Sequence, residues 1–202
     1  MACPYCYARR MYDRFGWDKT IRYEDVFWYP GIKGKPGDKY FVGSMMELFG
    51  DWIEKWWLEN IFEWVTSYPQ RTFIFLTKQP QNLQKWSPFP SNTWIGATAT
   101  NLQSYAFAVL WLQLIEAPVR FISVEPLLAE IPTEKTRQFS WHPDWLIIGA
   151  ETGNRKEKPP LEQVQDWARE IIKAADEAGI PVFTKDNLKL PANEVRREWP
   201  KP

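Results

Sequence analysis

Six short apolar runs punctuate the chain, and stretches with helical spacing lie between them. The runs are 40–44 (YFVGS), 72–77 (TFIFLT), 93–98 (TWIGAT), 119–124 (VRFISV), 144–149 (DWLIIG) and 181–185 (PVFTK). Most are continuous rather than alternating. That pattern belongs to parallel strands buried on both faces.

The intervening stretches read as helices. Residues 51–67 place Ile53, Trp56, Trp57, Ile61, Trp64 and Val65 near helical spacing. Residues 79–85 suit a short helix. Residues 101–115 begin at Asn101, an N-cap residue type. The stretch 161–178 is the clearest helix, with Pro159 and Pro160 before it and Gly179 as its stop. The segment 14–38 lacks sustained periodicity and reads as a helix end followed by a long loop, and 134–143 reads as a surface insertion.

Strands alternating with helices predict a parallel α/β fold in one domain over 1–202. An open doubly wound sheet and a barrel both satisfy the pattern. No glycine-rich phosphate fingerprint follows a strand, since Gly149-Ala150-Glu151-Thr152-Gly153 is not GxGxxG. The absence favours the barrel.

Composition narrows the class only a little. The 202 residues carry 25 basic and 25 acidic side chains, so net charge makes no case for a nucleic-acid partner. No apolar run approaches the ~20 residues that span a bilayer. Two cysteines do not make a disulfide scaffold, and a reducing, cytoplasmic setting is expected. The 13 tryptophans read first as core and packing surface.

In a β/α barrel the chemistry gathers at the C-terminal ends of the strands. Here each run ends in polar groups: Ser44 with Glu47, Thr77-Lys78, Thr98 with Thr100, Ser123 with Glu125, Glu151 with Thr152, and Lys185-Asp186. Any one of them can simply mark where the chain leaves the core. Several ringing one mouth would make a polar pocket with paired charges.

Cys3-Pro4-Tyr5-Cys6 is the other candidate centre. A CxxC pair has three readings. As a redox dithiol it matches the glutaredoxin sequence CPYC, but such a motif should follow a strand and open a helix. As a zinc site it is poorly supplied, because four ligands are needed and His142 is the one histidine. As part of an iron–sulfur site it needs a further cysteine. A barrel that binds a ligand or partner protein without catalysis stays open beside these.

Cys3-x-x-Cys6-Tyr7-Ala8-Arg9 resembles the end of the cysteine motif in radical SAM enzymes. More broadly the chain resembles an uncharacterised phage- and archaea-associated family of radical-SAM-like proteins. The resemblance rests on segments spread over nearly the whole length: 41–45 with 48–50, 75–80, 94–96, 120–128 (RFISVEPLL), 145–153 (WLIIGAETG) and 181–185. It implies a partial (β/α) barrel of about six parallel strands with outer helices, of radical SAM type. It also implies a [4Fe–4S] cluster and S-adenosylmethionine as cofactors, on a substrate that the sequence does not identify.

Carried over by residue, Cys3 and Cys6 are the cluster ligands, and Tyr7 is the aromatic that packs beside the cluster. Ser44, Thr98, Ser123, Glu125 and Glu151 are candidates for S-adenosylmethionine or substrate by their strand-end position alone. The motif has a third cysteine upstream of the pair, preceded by a strand and loop. Neither is present here, so the expectation is either a truncated chain or a degenerate member.

Overall fold

The computed structural model describes residues 3–23, 33–153 and 155–201. Its centre is one six-stranded sheet, all parallel, with the strands in sequence order. The strands are β1 (Lys39–Val42), β2 (Thr72–Thr77), β3 (Thr93–Ala99), β4 (Val119–Val124), β5 (Trp145–Ile148) and β6 (Val182–Thr184). The sheet curves into a half-barrel with helices around it. The helices are α1 (Tyr7–Phe15), α2 (Lys55–Thr66), α3 (Leu102–Leu112), α4 (Thr133–Thr136) and α5 (Leu161–Ala178). No described helix is long and apolar enough to cross a membrane.

The two faces of the sheet sort by residue parity, as the two-residue period of a strand requires. The helix-covered face carries Phe73, Phe75, Ile95, Ala97, Ile122, Val124, Leu146 and Ile148, packed against α2, α3 and α5. The inner face carries a separate cluster of Ile74, Trp94, Val119, Phe121, Trp145 and Ile147. Burial on both sides explains why the runs are continuous in the sequence.

Local signals set most element ends. Asn101 caps α3 in a full capping box: its side chain accepts from Ser104 N at 2.9 Å, and the Ser104 hydroxyl accepts from Asn101 N at 3.1 Å. Gly179 closes α5 in the left-handed region, φ 69°. The expected strand 40–44 runs instead over Lys39–Val42, because Gly43 takes φ 71° and turns the chain. Ser44 therefore falls in the turn. The expected helix 51–67 starts later, at Lys55, and 79–85 forms a 3₁₀ helix over Pro80–Trp86. The insertion expected at 134–143 contains the end of the single-turn helix α4. Of the loop expected after α1, residues 24–32 lie outside the described residues.

The last residues close the sheet. Arg196–Glu198 run antiparallel beside β6, with Thr184 N donating to Arg196 O (3.0 Å) and Glu198 N to Val182 O (3.0 Å). That pairing covers the edge strand. Trp199 then stacks on Trp145 on the inner face, ring centres 5.0 Å apart, and Lys39 lies over both Trp199 and Trp94. The N-terminal half of the inner face is thus filled with aromatic rings.

Candidate functional site

At the C-terminal half the inner face changes character. Following the parity of each strand, Trp94 gives way to Gly96 and Thr98, and Phe121 gives way to Ser123 and Glu125. Thr98 and Ser123 are register partners on β3 and β4, and both are buried. Among the described residues the buried Thr98 Oγ1 has no hydrogen-bond partner. An orphaned hydroxyl is uncommon in a folded interior and marks a place where a polar ligand atom could bond.

Glu125 extends this row beyond β4. Its Oε2 pairs with Lys185 Nζ at 3.0 Å, and its Oε1 accepts from Asn187 Nδ2 at 3.1 Å. Asn187 also bonds both backbone groups of Ala150: Ala150 N donates to Oδ1 (3.0 Å), and Nδ2 donates to Ala150 O (2.8 Å). One asparagine thereby joins the ends of β4, β5 and β6. The carboxylate lies flat over Gly149, where a Cβ would stand 2.7 Å from Oε1.

Glu151 is used differently. Its side chain is 4% exposed and is gripped by the Arg155 guanidinium through contacts of 2.7, 2.9 and 3.1 Å. The grip holds the Arg155 pKa up, chiefly through the hydrogen bonds to Glu151.

The cysteines reach this mouth from the other end of the chain. A turn brings Cys6 N to Cys3 O at 3.0 Å, and Cys6 Sγ caps α1 by accepting from Arg9 N at 3.4 Å. Arg10 then donates to Thr152 O at 3.1 Å, which seats α1 on the loop after β5. Tyr5 lies in the same turn and is partly buried. Burial pushes its phenol pKa up, with interaction with Cys3 and the negative charge of Glu151 adding to this. Tyr5 therefore stays protonated at neutral pH.

The structure brings Cys3, Cys6 and Glu151 to one region, and Thr98, Ser123 and Glu125 into one row. Ser44 lies exposed in the turn after β1, and its carbonyl accepts from the hydroxyl of Tyr7, the residue after Cys6. Tyr7 itself is exposed. Glu47 serves the loop: its carboxylate accepts from Thr77 Oγ1 (2.6 Å) and Lys78 N (2.8 Å). Tyr5, Arg155 and Asn187 were not among the residues singled out from the sequence. Tyr5 sits inside the CxxC motif and Asn187 two residues past a strand-end lysine, and those positions were the available signals.

Both cysteines are free thiols. Their chemistry suits an iron–sulfur cluster in kind and falls short in number, because such a cluster takes three thiolates and this sequence has two. Among the described residues no group of three His, Cys, Asp or Glu side chains could hold a metal ion. The pair also differs from a thioredoxin-like dithiol. Its second cysteine caps the helix.

The fold and site together define a half-barrel α/β protein with a polar strand-end mouth and a cysteine pair beside it. The chain belongs to the family described as "Protein of unknown function (DUF5131)", whose model matches residues 1–198. No curated protein matches the chain, and no solved structure does.

Proposed function

We propose that this protein is a radical SAM-type enzyme: the strand-end mouth receives S-adenosylmethionine, and Cys3 and Cys6 are two of three thiolates that hold a [4Fe–4S] cluster. The observation that carries the reading is the docking of the cysteine segment at the end of β5, through Arg10 on Thr152. The buried, unpartnered Thr98 hydroxyl supports it, since it offers a bond to a polar ligand in the same mouth. The third thiolate has to come from outside this sequence.

The chemistry such a cluster supplies when bound is one-electron reductive cleavage of the sulfonium of S-adenosylmethionine. The chain's own contribution is placement. Asn187 fixes the ends of β4, β5 and β6 relative to one another. The aromatic floor of Trp94, Phe121, Trp145 and Trp199 keeps water from entering from below. Tyr5, kept protonated by burial in the same turn, could donate to cluster sulfur, and such a bond would tune the cluster's potential.

Anaerobic incubation with iron, sulfide and a small thiol to fill the third position tests the proposal. The expected product is brown, with iron and sulfide bound in proportion to protein. Cys3→Ala and Cys6→Ala should each lower both, and S-adenosylmethionine should perturb the electron paramagnetic resonance of the reduced form. Iron retention no greater than in the double variant would end this reading.

A further inference from the structure

The segment from Tyr7 to Tyr23 has a composition unlike the rest of the chain. It carries Arg9, Arg10, Arg14, Lys19 and Arg22 against only Asp13 and Asp18, in a protein whose basic and acidic totals are equal. It also exposes large apolar side chains: Tyr7, Phe15, Trp17 and Ile21 are all about half accessible. Basic and aromatic groups interleaved on one exposed segment match a polyanion that also offers flat π surfaces.

The arrangement is built. Phe15 and Trp17 lie face to face, ring centres 5.1 Å apart and planes inclined by 24°. Tyr12 braces Trp17 edge-on at 5.5 Å, and the Arg14 guanidinium lies 5.3 Å from the Phe15 ring centre. Lys19 and Arg22 are occupied by Asp13 and Asp18. Among the described residues Arg9 and Arg14 enter no ion pair. The segment is anchored at both ends, by Arg10 on Thr152 and by Tyr23 packed on Trp56 with ring centres 4.8 Å apart. The surface starts beside the cysteine turn.

We propose that this segment is a binding surface for single-stranded nucleic acid. The Phe15–Trp17 stack takes an unpaired base, and Arg9 and Arg14 take flanking phosphates. Single strands are favoured over duplex because the bases of a duplex are stacked on one another and cannot cover an aromatic side chain. Phosphates alone would not use the exposed rings. The proposal does not rest on the cluster reading.

The test is fluorescence anisotropy with labelled oligothymidylate across a salt series. Trp17→Ala should weaken binding about 5- to 150-fold, the range for loss of one stacked base, while Trp17→Phe should recover most of it. The double change of Arg9 and Arg14 to Ala should make the slope of log affinity against log salt shallower by about 1.4, or about 0.7 per phosphate contact. Circular dichroism and melting temperature confirm that each variant is folded. The Cys3→Ala/Cys6→Ala protein should bind the oligonucleotide normally, so loss of iron and loss of nucleic-acid binding are scored separately.

Absence of saturable binding at low salt would overturn the proposal. So would equal affinity for duplex, an unchanged affinity in Trp17→Ala, or preference for anionic phospholipid vesicles, which would make this a membrane-facing surface.

Discussion

Two buried threonines allow one substitution to be tested with opposite expected signs. Thr98 on β3 has a hydroxyl without a partner, whereas the Thr77 hydroxyl on β2 donates to Glu47 at 2.6 Å and accepts from Gln79 N at 2.8 Å. Thr→Val keeps the branched side chain, so rotamer freedom and strand preference are nearly unchanged. At Thr98 the change removes a desolvated polar atom. A buried hydroxyl without a hydrogen bond costs about 1–3 kcal/mol on mutational scales, so Thr98→Val should be more stable by that order. At Thr77 it takes a donor from a carboxylate and strands the Gln79 N–H, which should cost about 1.5–3 kcal/mol.

A protein of this size shifts its melting temperature by about 2–4 °C per kcal/mol. Calorimetry at neutral pH should therefore find Thr98→Val about 2–12 °C above the parent and Thr77→Val about 3–12 °C below it. Equilibrium dialysis adds a functional arm: Thr98→Val should bind S-adenosylmethionine more weakly while being the more stable protein. A Thr98→Val protein that melts below the parent would refute the reasoning, because the hydroxyl would then be engaged and not held open for a ligand.

Two further outcomes follow from packing and burial. A Cβ at Gly96 would stand 2.3–2.5 Å from the Phe121 ring, itself fully buried against Trp145. Gly96→Ala should cost about 1–3 kcal/mol by overpacking, measured by chemical denaturation. Phe121→Leu added to it should recover part of the loss, and parent-like stability in the single variant would contradict the packing. Burial pushes the Tyr105 pKa up from 10 to about 12, so the folded state holds a proton that the unfolded state releases. Its contribution is complete below pH 10 and is lost as the pH rises through about 12. Tyr105→Phe should flatten that alkaline fall without abolishing it, because the Tyr5 pKa is also raised.

The elements were legible because their signals are local. Continuous apolar runs located all six strands, β2 and β4 to the residue, since burial on both faces leaves no alternation to confuse them. Asn101 and Gly179 marked the ends of α3 and α5 through their own backbone chemistry. The runs at 40–44, 144–149 and 181–185 each outlast their strands, and in the first of them Gly43 turns the chain.

The site was legible as a set of strand-end positions, but not as a set of free groups. Glu47, Glu125 and Glu151 look alike in the sequence, each beyond an apolar run. Packing commits Glu47 to Thr77 and Lys78, Glu125 to Lys185 and Asn187, and Glu151 to Arg155. The partners of Glu47 and Glu125 lie 30 to 62 residues away, so no local pattern could announce them. The same holds for the cysteine turn, which reaches β5 through a contact spanning 142 residues. Sequence alone determined which residues stand at the mouth of the half-barrel. The order and curvature of the sheet determined which carboxylates are occupied there, and left the Thr98 hydroxyl buried without a partner.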